Sequence, residues 1–313
     1  MAGMFMHRVI QLAGSSCTHG LQKKKRMPEA MMQPPVTLMI MIYNQARFIT
    51  DAVQSAFSQT YDGPLEILLS DDASTDGTTE ILQSLVAQYD GPFRVRLNVN
   101  RRNLGLMAHF NKVFALASHD FVVCGAGDDI SRNDRVAHLA RIQAETGAWL
   151  LYSRTEFMNS AGKMLPDPGI ATTFATDWTL PDVARSNALF IGAGSAYQKD
   201  VLRSFGPIIE KHAFEDLVLG FRAALCGRIA YCDEPLVQYR LGEGLSRAGR
   251  TSFQERTQAL TVWIAVLRQR LTDAKGFGLA FGDPIMETLR DTLSQAEFAL
   301  VDHLKAGAIA QRA

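Results

Sequence analysis

The sequence predicts an α/β fold of three layers, in which helices cover both faces of a mostly parallel sheet. From Val36 onward, short apolar runs alternate with segments whose apolar residues recur at helical spacing. Gly-Pro pairs at 63–64 and 91–92 end two of these units. With 313 residues, of which 47% are apolar and 20% charged, the chain is long enough to bury one large core.

Each unit of the first half reads as a strand followed by a helix. Residues 36–42 form the first strand, and Ile49, Val53 and Ala56 then share one apolar helix face. The next strands are predicted at 65–69, 94–98 and 121–124, with one helix capped by Asp76 and another at 107–117. In sheets of this kind, ligands bind beyond the carboxyl ends of the strands.

The second half has a mixed order of elements. A helix is predicted at 135–146, and strands at 150–153 and 192–195. Two further helices, at 253–271 and 284–304, flank a glycine-bearing turn and predict a helical appendage. We therefore divide the chain into a flexible basic tail (1–35), a main domain (36–250) and a C-terminal helical segment (251–313).

Charge and cysteine content narrow the class of protein. The 32 basic and 32 acidic residues give a net charge of zero, which argues against a nucleic-acid partner. The four cysteines show no C-x-x-C spacing and indicate reduced thiols. Neither a secretory signal nor an apolar run of about 18 residues is present, which predicts a cytoplasmic location. The basic run 23–26 belongs to a loose tail or touches an anionic membrane surface peripherally.

Paired carboxylates mark three element ends. Asp71-Asp72 follows the second strand, Asp128-Asp129 follows the strand at 121–124, and Glu215-Asp216 opens a helix-like segment. An acidic first turn is also what the positive end of a helix dipole favours. Three such pairs at element ends nevertheless indicate one shared ligand site.

Several stretches occur in an order typical of one enzyme family. They are 36–44 (VTLMIMIYN), 71–78 (DDASTDGT), 103–111 (NLGLMAHFN), 127–129 (GDD), 215–222 (EDLVLGFR) and Tyr239-Arg240 with Gly242, Gly244 and Ser246. In these stretches the chain resembles the family 2 glycosyltransferases, which have the GT-A fold. The likeness spans roughly residues 36–250, and the order of the motifs makes it specific although each motif alone is weak.

The resemblance implies an inverting, metal-dependent hexosyltransferase that uses a nucleotide diphosphate-sugar. Two carboxylates beside an anionic diphosphate require a divalent cation between them, and their hard oxygen donors suit Mg²⁺ or Mn²⁺. By the resemblance, Asp129 is a direct metal ligand, and Asp128 contacts the ribose and can share the metal. The donor predicted first is a UDP-sugar, and the acceptor is a glycan or a lipid-linked precursor of a cell-surface polysaccharide or glycolipid.

The resemblance also assigns side chains to the nucleotide-sugar. Asp72, and with less support Asp71, lies where the family holds the base; the alternative is a turn aspartate. In the glycine-bearing loop after Tyr239, Arg240 or Arg247 would help to neutralise the diphosphate; the alternative is a surface turn. The predicted nucleotide-sugar site comprises Tyr43, Asn44, Asp71, Asp72, Asn103, Asp128 and Arg240.

Transfer to a hydroxyl needs a base that removes its proton, and a carboxylate within hydrogen-bond reach commonly does this. The E-D motif of the resembled family matches Glu215-Asp216, which implies that Asp216 is the catalytic base. Glu215 is assigned to acceptor binding. Trp178 is predicted to stack on an acceptor sugar.

Two departures from the family pattern bear on the reaction. Ala126 stands where many relatives carry a further acid, so one potential ligand is missing. Many relatives also carry a His soon after the Tyr-Arg pair, whereas Leu241-Gly242 follows Tyr239-Arg240 here. Separately, the Q-x-x-R-W signature of processive relatives is absent, which favours addition of a single sugar. Two alternatives remain open: a sugar-phosphate nucleotidyltransferase, although the loop 43–46 lacks its glycines and basic residues, and a non-catalytic nucleotide-sugar-binding scaffold.

Overall fold

The computed structural model describes residues 33–175, 177–242 and 252–310, together with the strand Val9–Ile10. The basic run 23–26 and Arg247 lie outside the described residues. Among the helices in these ranges, none is long and apolar enough to cross a membrane.

One twisted sheet organises the main domain. Its strands are, in chain order, β1 (Val9–Ile10), β2 (Val36–Ile42), β3 (Leu65–Asp71), β4 (Arg94–Val99), β5 (Phe121–Ala126), β6 (Ile130–Ser131), β7 (Leu150–Met158), β8 (Met164–Leu165), β9 (Ser195–Gln198) and β10 (Ile229–Arg240). The main path runs in the order β1-β10-β7-β9-β5-β2-β3-β4. The pairs β5–β2, β2–β3, β3–β4 and β10–β7 are parallel, whereas β9 is antiparallel to both of its neighbours.

Helices cover both faces of this sheet. They are α1 (Ile49–Phe57), α2 (Thr78–Ala87), α3 (Leu106–Leu116), α4 (Arg135–Thr146), α5 (Leu180–Arg185), α6 (Asp200–Arg203), α7 (Glu215–Leu225), α8 (Phe253–Phe277) and α9 (Pro284–Ala310). Along β2, Met39 packs into one core, whereas Leu38, Ile40 and Ile42 pack into the other. Because side chains alternate along a strand, a continuous apolar run serves two buried faces. The predicted fold class is therefore confirmed.

Two elements of the second half differ from the sequence prediction. The segment Gly192–Gly194 is a 3-10 turn, and the strand begins only at Ser195. The long strand β10 was not predicted, because Pro235 interrupts its pattern and Pro cannot donate to a sheet ladder. In the structure the β10–β7 register shifts on both sides of Pro235, which accommodates the missing donor.

The C-terminal helices pack on the main domain. Val266 and Leu267 of α8 and Leu289 of α9 are fully buried in the same core as α3 and α7. Both helices extend beyond the predicted ends, and α8 stops at Gly278, whose φ of 99° is the left-handed conformation usual for a helix C-cap.

Candidate active site

The carboxyl ends of β2, β3 and β5 lie side by side at one edge of the sheet. Ile42 is paired with Asp71, and Met41 with Ala126, in parallel register. The residues that follow these strands, including Asp72 and Asp128-Asp129, therefore lie at the same edge. This is where an open α/β sheet binds its ligands.

Asp129 has a buried carboxylate oxygen without a hydrogen-bond partner. The residue is only 6% exposed, and Oδ1 accepts a hydrogen bond from the Arg240 backbone N–H at 2.9 Å. Oδ2 has no partner. Burial, followed by the charge of Asp128, raises the pKa of Asp129 well above its ordinary value. Buried polar atoms almost always have a hydrogen-bond partner, so we expect a bound ligand or ion to contact Asp129 Oδ2.

A hard divalent cation fits the turn that carries Asp128 and Asp129, which we call the acidic corner. Mg²⁺ and Mn²⁺ take oxygen ligands, and Mg²⁺ commonly uses one or two carboxylates together with phosphate oxygens and water. Within the described residues, no cluster of three or more His, Cys, Asp or Glu side chains could hold a metal ion. The protein's share of such a site would therefore be Asp129 Oδ2 and the neighbouring Asp128.

Arg240 makes hydrogen bonds to the acidic corner through its backbone and its side chain. Its backbone N–H bonds Asp129, its Nε donates to the Asp128 carbonyl at 2.9 Å, and its Nη1 donates to the Asn159 carbonyl at 2.9 Å. The guanidinium lies 4.5 Å from the centre of the Phe48 ring. Arg240 is only 2% exposed, so the structure places it as a support for the Asp128-Asp129 turn rather than on an open surface.

Asp72 organises the loop that precedes α3. Its carboxylate accepts hydrogen bonds from Asn100 Nδ2 at 2.7 Å and from the backbone N–H groups of Leu104 and Gly105 at 2.9 and 3.0 Å. Asn103 Oδ1 also accepts from the Gly105 N–H, at 2.9 Å. The carboxylate predicted to bind the base thus already has partners within the chain. A direct bond to a base would have to add to these or replace one.

Asp71 and Asn44 join two loops at the edge of the site. Asp71 is fully buried and accepts hydrogen bonds from the Ser74 N–H and hydroxyl and from the Thr79 hydroxyl. Asn44, whose φ is 53°, accepts from the Thr75 N–H at 2.8 Å. These contacts fix the loop after β2 against the turn before α2. Tyr43 beside them is 47% exposed and offers an open ring to a ligand.

Glu215 and Asp216 form the first turn of α7. The Leu217 N–H donates to Asp216 Oδ1 at 2.7 Å, which fixes that carboxylate at the helix start. Burial raises the pKa of Asp216 to about 6. Burial, and then the charge of Asp216, raises the pKa of Glu215 to about 8. The two carboxyl groups therefore titrate together, and burial favours a proton shared by the pair near neutral pH.

Sheet pairing brings Asp216 toward the acidic corner. Val123 of β5 is paired antiparallel with Ala196 of β9, so the turn Gly192–Gly194 runs beside the end of β5 that leads into Asp128. A Cβ placed on Gly192 would lie 3.1 Å from Asp216 Oδ2. Asp216 thus faces a turn that adjoins the corner.

Arg135 connects the end of β5 to the turn Gly192–Gly194. This residue was not identified from the sequence. The residue is 1% exposed, and its Nη2 donates to the carbonyls of Cys124 at 2.7 Å and Ala193 at 2.8 Å. It thereby joins β5 to the turn that faces Asp216. The available signal was its spacing, because Arg135, Leu139 and Ile142 lie on one buried helix face.

Trp178 lies in the core. The residue is 7% exposed, and the centre of its ring is 5.0 Å from that of the Phe174 ring. A sugar-stacking platform needs an open ring face, so we do not include Trp178 in the acceptor site proposed below. The structure thus brings all three acidic pairs, Asp71-Asp72, Asp128-Asp129 and Glu215-Asp216, toward one edge of the sheet. Four of the predicted nucleotide-sugar residues make hydrogen bonds within the protein: Asp71, Asp72, Asn103 and Arg240.

Comparison with known proteins identifies the family. The sequence profile described as Glycosyl transferase family 2 matches residues 37–193, half of the chain. The putative glycosyltransferase EpsH of Bacillus subtilis is 28% identical over 225 residues, which cover 67% of this chain and 62% of EpsH, less than two thirds of that relative.

Solved structures of low sequence identity share the fold. Residues 1–349 of S. aureus TarS, in complex with UDP-GlcNAc, align with a TM-score of 0.57 and 17% identity, over 86% of this chain and 72% of that fragment. The mannosyltransferase PcManGT from Pyrobaculum calidifontis, in complex with GDP-Man and Mn²⁺, aligns with a TM-score of 0.59 and 19% identity, over 93% of this chain and 79% of that chain. The sequence motifs, the sheet and the family profile agree, and the chain belongs to glycosyltransferase family 2.

Proposed function

We propose that the protein transfers one sugar from a nucleotide diphosphate-sugar to an acceptor hydroxyl, with inversion at the anomeric carbon. The single observation that carries this proposal is that two carboxylates with different hydrogen-bond surroundings, Asp129 and Asp216, lie near one edge of the sheet. Asp129 is buried with an oxygen lacking a partner, whereas Asp216 is held by a backbone N–H beside the neighbouring turn. The first suits a cation, and the second suits a base.

The donor is proposed to lie across the ends of β2, β3 and β5. The exposed ring of Tyr43 can stack on a base, and the loop held by Asp72 would border it. The complexes of TarS with UDP-GlcNAc and of PcManGT with GDP-Man support a nucleotide-sugar donor. A UDP-sugar is the first donor to test, and a GDP-sugar is the second.

Asp129, with Asp128, would hold a divalent cation. The Mn²⁺ in the PcManGT complex supports Mn²⁺ or Mg²⁺ as the ion. When bound, such an ion would neutralise charge on the leaving diphosphate. Arg240 keeps the turn that carries both carboxylates in place through bonds to Asp128 and Asp129.

Asp216 would accept the proton of the acceptor hydroxyl. Its pKa of about 6 leaves it mostly ionised at pH 7 while keeping it basic enough to take a proton. Glu215, with a pKa of about 8, would stay protonated and could donate a hydrogen bond to the acceptor. A glycan or lipid-linked acceptor and a role in polysaccharide biosynthesis are proposed from family resemblance. The cytoplasmic location and the peripheral membrane contact stay predictions.

Cation binding tests the donor half of the proposal. We expect Asp129→Asn to weaken Mn²⁺ binding at least tenfold in electron paramagnetic resonance titrations made with UDP. Asp291→Asn, an exposed change on α9, is the matched control. Equal Mn²⁺ affinity in the wild type and in Asp129→Asn would remove the metal assignment.

Transfer assays test the base. We expect Asp216→Asn to bind the donor normally but to lose about 10²–10⁴-fold in kcat, the usual contribution of a positioned acid or base. Donor affinity is measured by calorimetry on the same protein. A variant that retains wild-type kcat would show that Asp216 is not the base.

A further inference from the structure

A buried arginine from the C-terminal segment supports the start of α7. Arg270 of α8 is fully buried and lies outside the residues matched by the family profile. Its Nε and Nη2 both donate to the Leu217 carbonyl, at 3.2 and 2.9 Å. Its Nη1 donates to carbonyls at the end of α5, including that of Ser186 at 2.8 Å. The hydrogen bonds described for this guanidinium thus all go to neutral backbone oxygens.

A buried cation of this kind needs a negative charge nearby. Asp273, one turn further along α8, is already paired with Arg222 by two bonds of 2.7 and 2.9 Å. Burial, and then the charge of Asp216, raises the pKa of Glu215 to about 8, which favours its neutral form near pH 7. Asp216 is the remaining acid whose charge acts on Arg270. Two buried arginines are thus balanced by two carboxylates, Asp273 and Asp216.

We propose that Arg270 is a positioning residue for Asp216. It fixes the first turn of α7 through the Leu217 carbonyl, and its buried positive charge favours the anionic form of the Asp216 carboxylate. The inference deepens the proposed function and rests on it where Asp216 serves as the base. It also makes α8 part of the active site, although α8 is remote from the family motifs in sequence.

The groups that face Asp216 support this assignment. Burial raises the pKa of Asp216, and the hydrogen bond from the Leu217 N–H and then the charge of Arg270 lower it. Burial raises the pKa of Tyr197, on β9, well above its ordinary value, and the charges of Asp216 and Glu215 add to this effect. From β5, Cys124 responds to Glu215, and burial raises its pKa to about 12. Both therefore stay neutral at physiological pH, and within the part of the chain that the structure describes Arg270 is the cation whose charge lowers the pKa of Asp216.

Charge and geometry can be separated by two substitutions at one position. Arg270→Gln removes the charge and keeps a donor, whereas Arg270→Lys keeps the charge and loses the planar fork. We expect Arg270→Gln to move the acid limb of the kcat profile upward by about one pH unit, since a nearby cation lowers an aspartate pKa by that order. Arg270→Lys should leave the limb within a few tenths of a unit. Arg268→Gln, an exposed loss of charge on the same helix, is the control.

Outcomes of this experiment decide the proposal. An acid limb at the wild-type position in folded Arg270→Gln overturns it, as does an equal shift in Arg270→Lys. A merely structural role would lower the unfolding midpoint of both variants without moving the limb. If Arg270→Gln is too unstable at 25 °C, the profile is measured at 10 °C in sucrose, which favours the folded state.

A measurement without turnover separates this inference from the proposed function. The free energy of unfolding is compared between wild type and Asp216→Asn from about pH 4 to 8, with Arg270 present and with Arg270→Gln. Because folding raises the pKa of Asp216 to about 6, the wild-type protein loses stability as pH rises from the unfolded-state value of about 3.9 to about 6, and Asp216→Asn should gain stability relative to it over that window. With Arg270→Gln the folded-state pKa of Asp216 should be higher, so the difference should keep growing to higher pH before it levels off. Equal curves overturn the inference, whereas an active Asp216→Asn enzyme overturns only the assignment of the base.

Discussion

The buried ion pair between α7 and α8 allows one stability prediction to be worked out in full. Arg222 and Asp273 have side chains that are 0% and 1% exposed, and they form two parallel hydrogen bonds of 2.7 and 2.9 Å. Gln269 donates to the same carboxylate at 3.0 Å, and Arg222 also donates to the Gly206 carbonyl at 2.8 Å. Asp273→Ala would leave the guanidinium buried without its counter-charge.

The expected cost follows from the burial of the remaining cation. Removing one partner of a buried pair typically costs about 3–5 kcal/mol, because the other charge stays desolvated. Since a domain is stabilised by about 5–15 kcal/mol in total, Asp273→Ala should lose a large part of the free energy of unfolding. The double variant Arg222→Met/Asp273→Leu removes both charges and should recover most of this loss.

Urea denaturation followed by circular dichroism measures these differences. Glu297→Ala is the matched control, because it breaks an exposed ion pair with Arg268 between α8 and α9 and should cost less than about 1 kcal/mol. An Asp273→Ala protein within about 1 kcal/mol of wild type would refute the reasoning. It would mean that α8 is not held to α7 by this pair.

Two further predictions concern crowding at the site and acid stability. Gly192→Ala would place a Cβ 3.1 Å from Asp216 Oδ2 and should lower kcat about tenfold by displacing the carboxylate, whereas at Gly125 the nearest atom is 3.5 Å away and Gly125→Ala should change kcat less than about twofold. Similar kcat values in steady-state assays would contradict this. Burial alone would raise the pKa of Glu66, but hydrogen bonds, led by those from Ser118, lower it to about 2. Glu66→Gln should therefore cost about 3 kcal/mol near pH 7, and the difference in unfolding free energy should vanish as pH falls from about 4.5 toward 2; a pH-independent difference would disprove the assignment.

Local sequence was sufficient where a residue's neighbours along the chain decide its environment. The run at 36–42 became β2 with the predicted bounds, because a continuous apolar run has few alternatives to a buried strand. The helix 135–146 was likewise found at its predicted position. The acidic pair at 128–129 was placed after a strand for the same reason.

Long-range pairing explains what sequence patterns missed. The strand β10 depends on its register with β7, and Pro235 obscures the pattern that would reveal it. The partners of Asp72 come from Asn100, Leu104 and Gly105, which follow the next strand of the sheet. No local rule distinguishes a carboxylate that binds a ligand from one that holds a loop.

The sequence by itself determined the family, the parallel half of the sheet and the residue types available for chemistry, because these depend on periodicity and on motif order. Only the tertiary structure decided which acids retain an unpaired oxygen and which charges face one another. Asp129 Oδ2 lacks a partner while Asp72 is already satisfied, and Arg270 reaches the first turn of α7 from a helix far along the chain. Burial and hydrogen-bond partners decide the protonation state of a side chain and which of its atoms are left to bind a ligand. Both arise only when distant segments pack together.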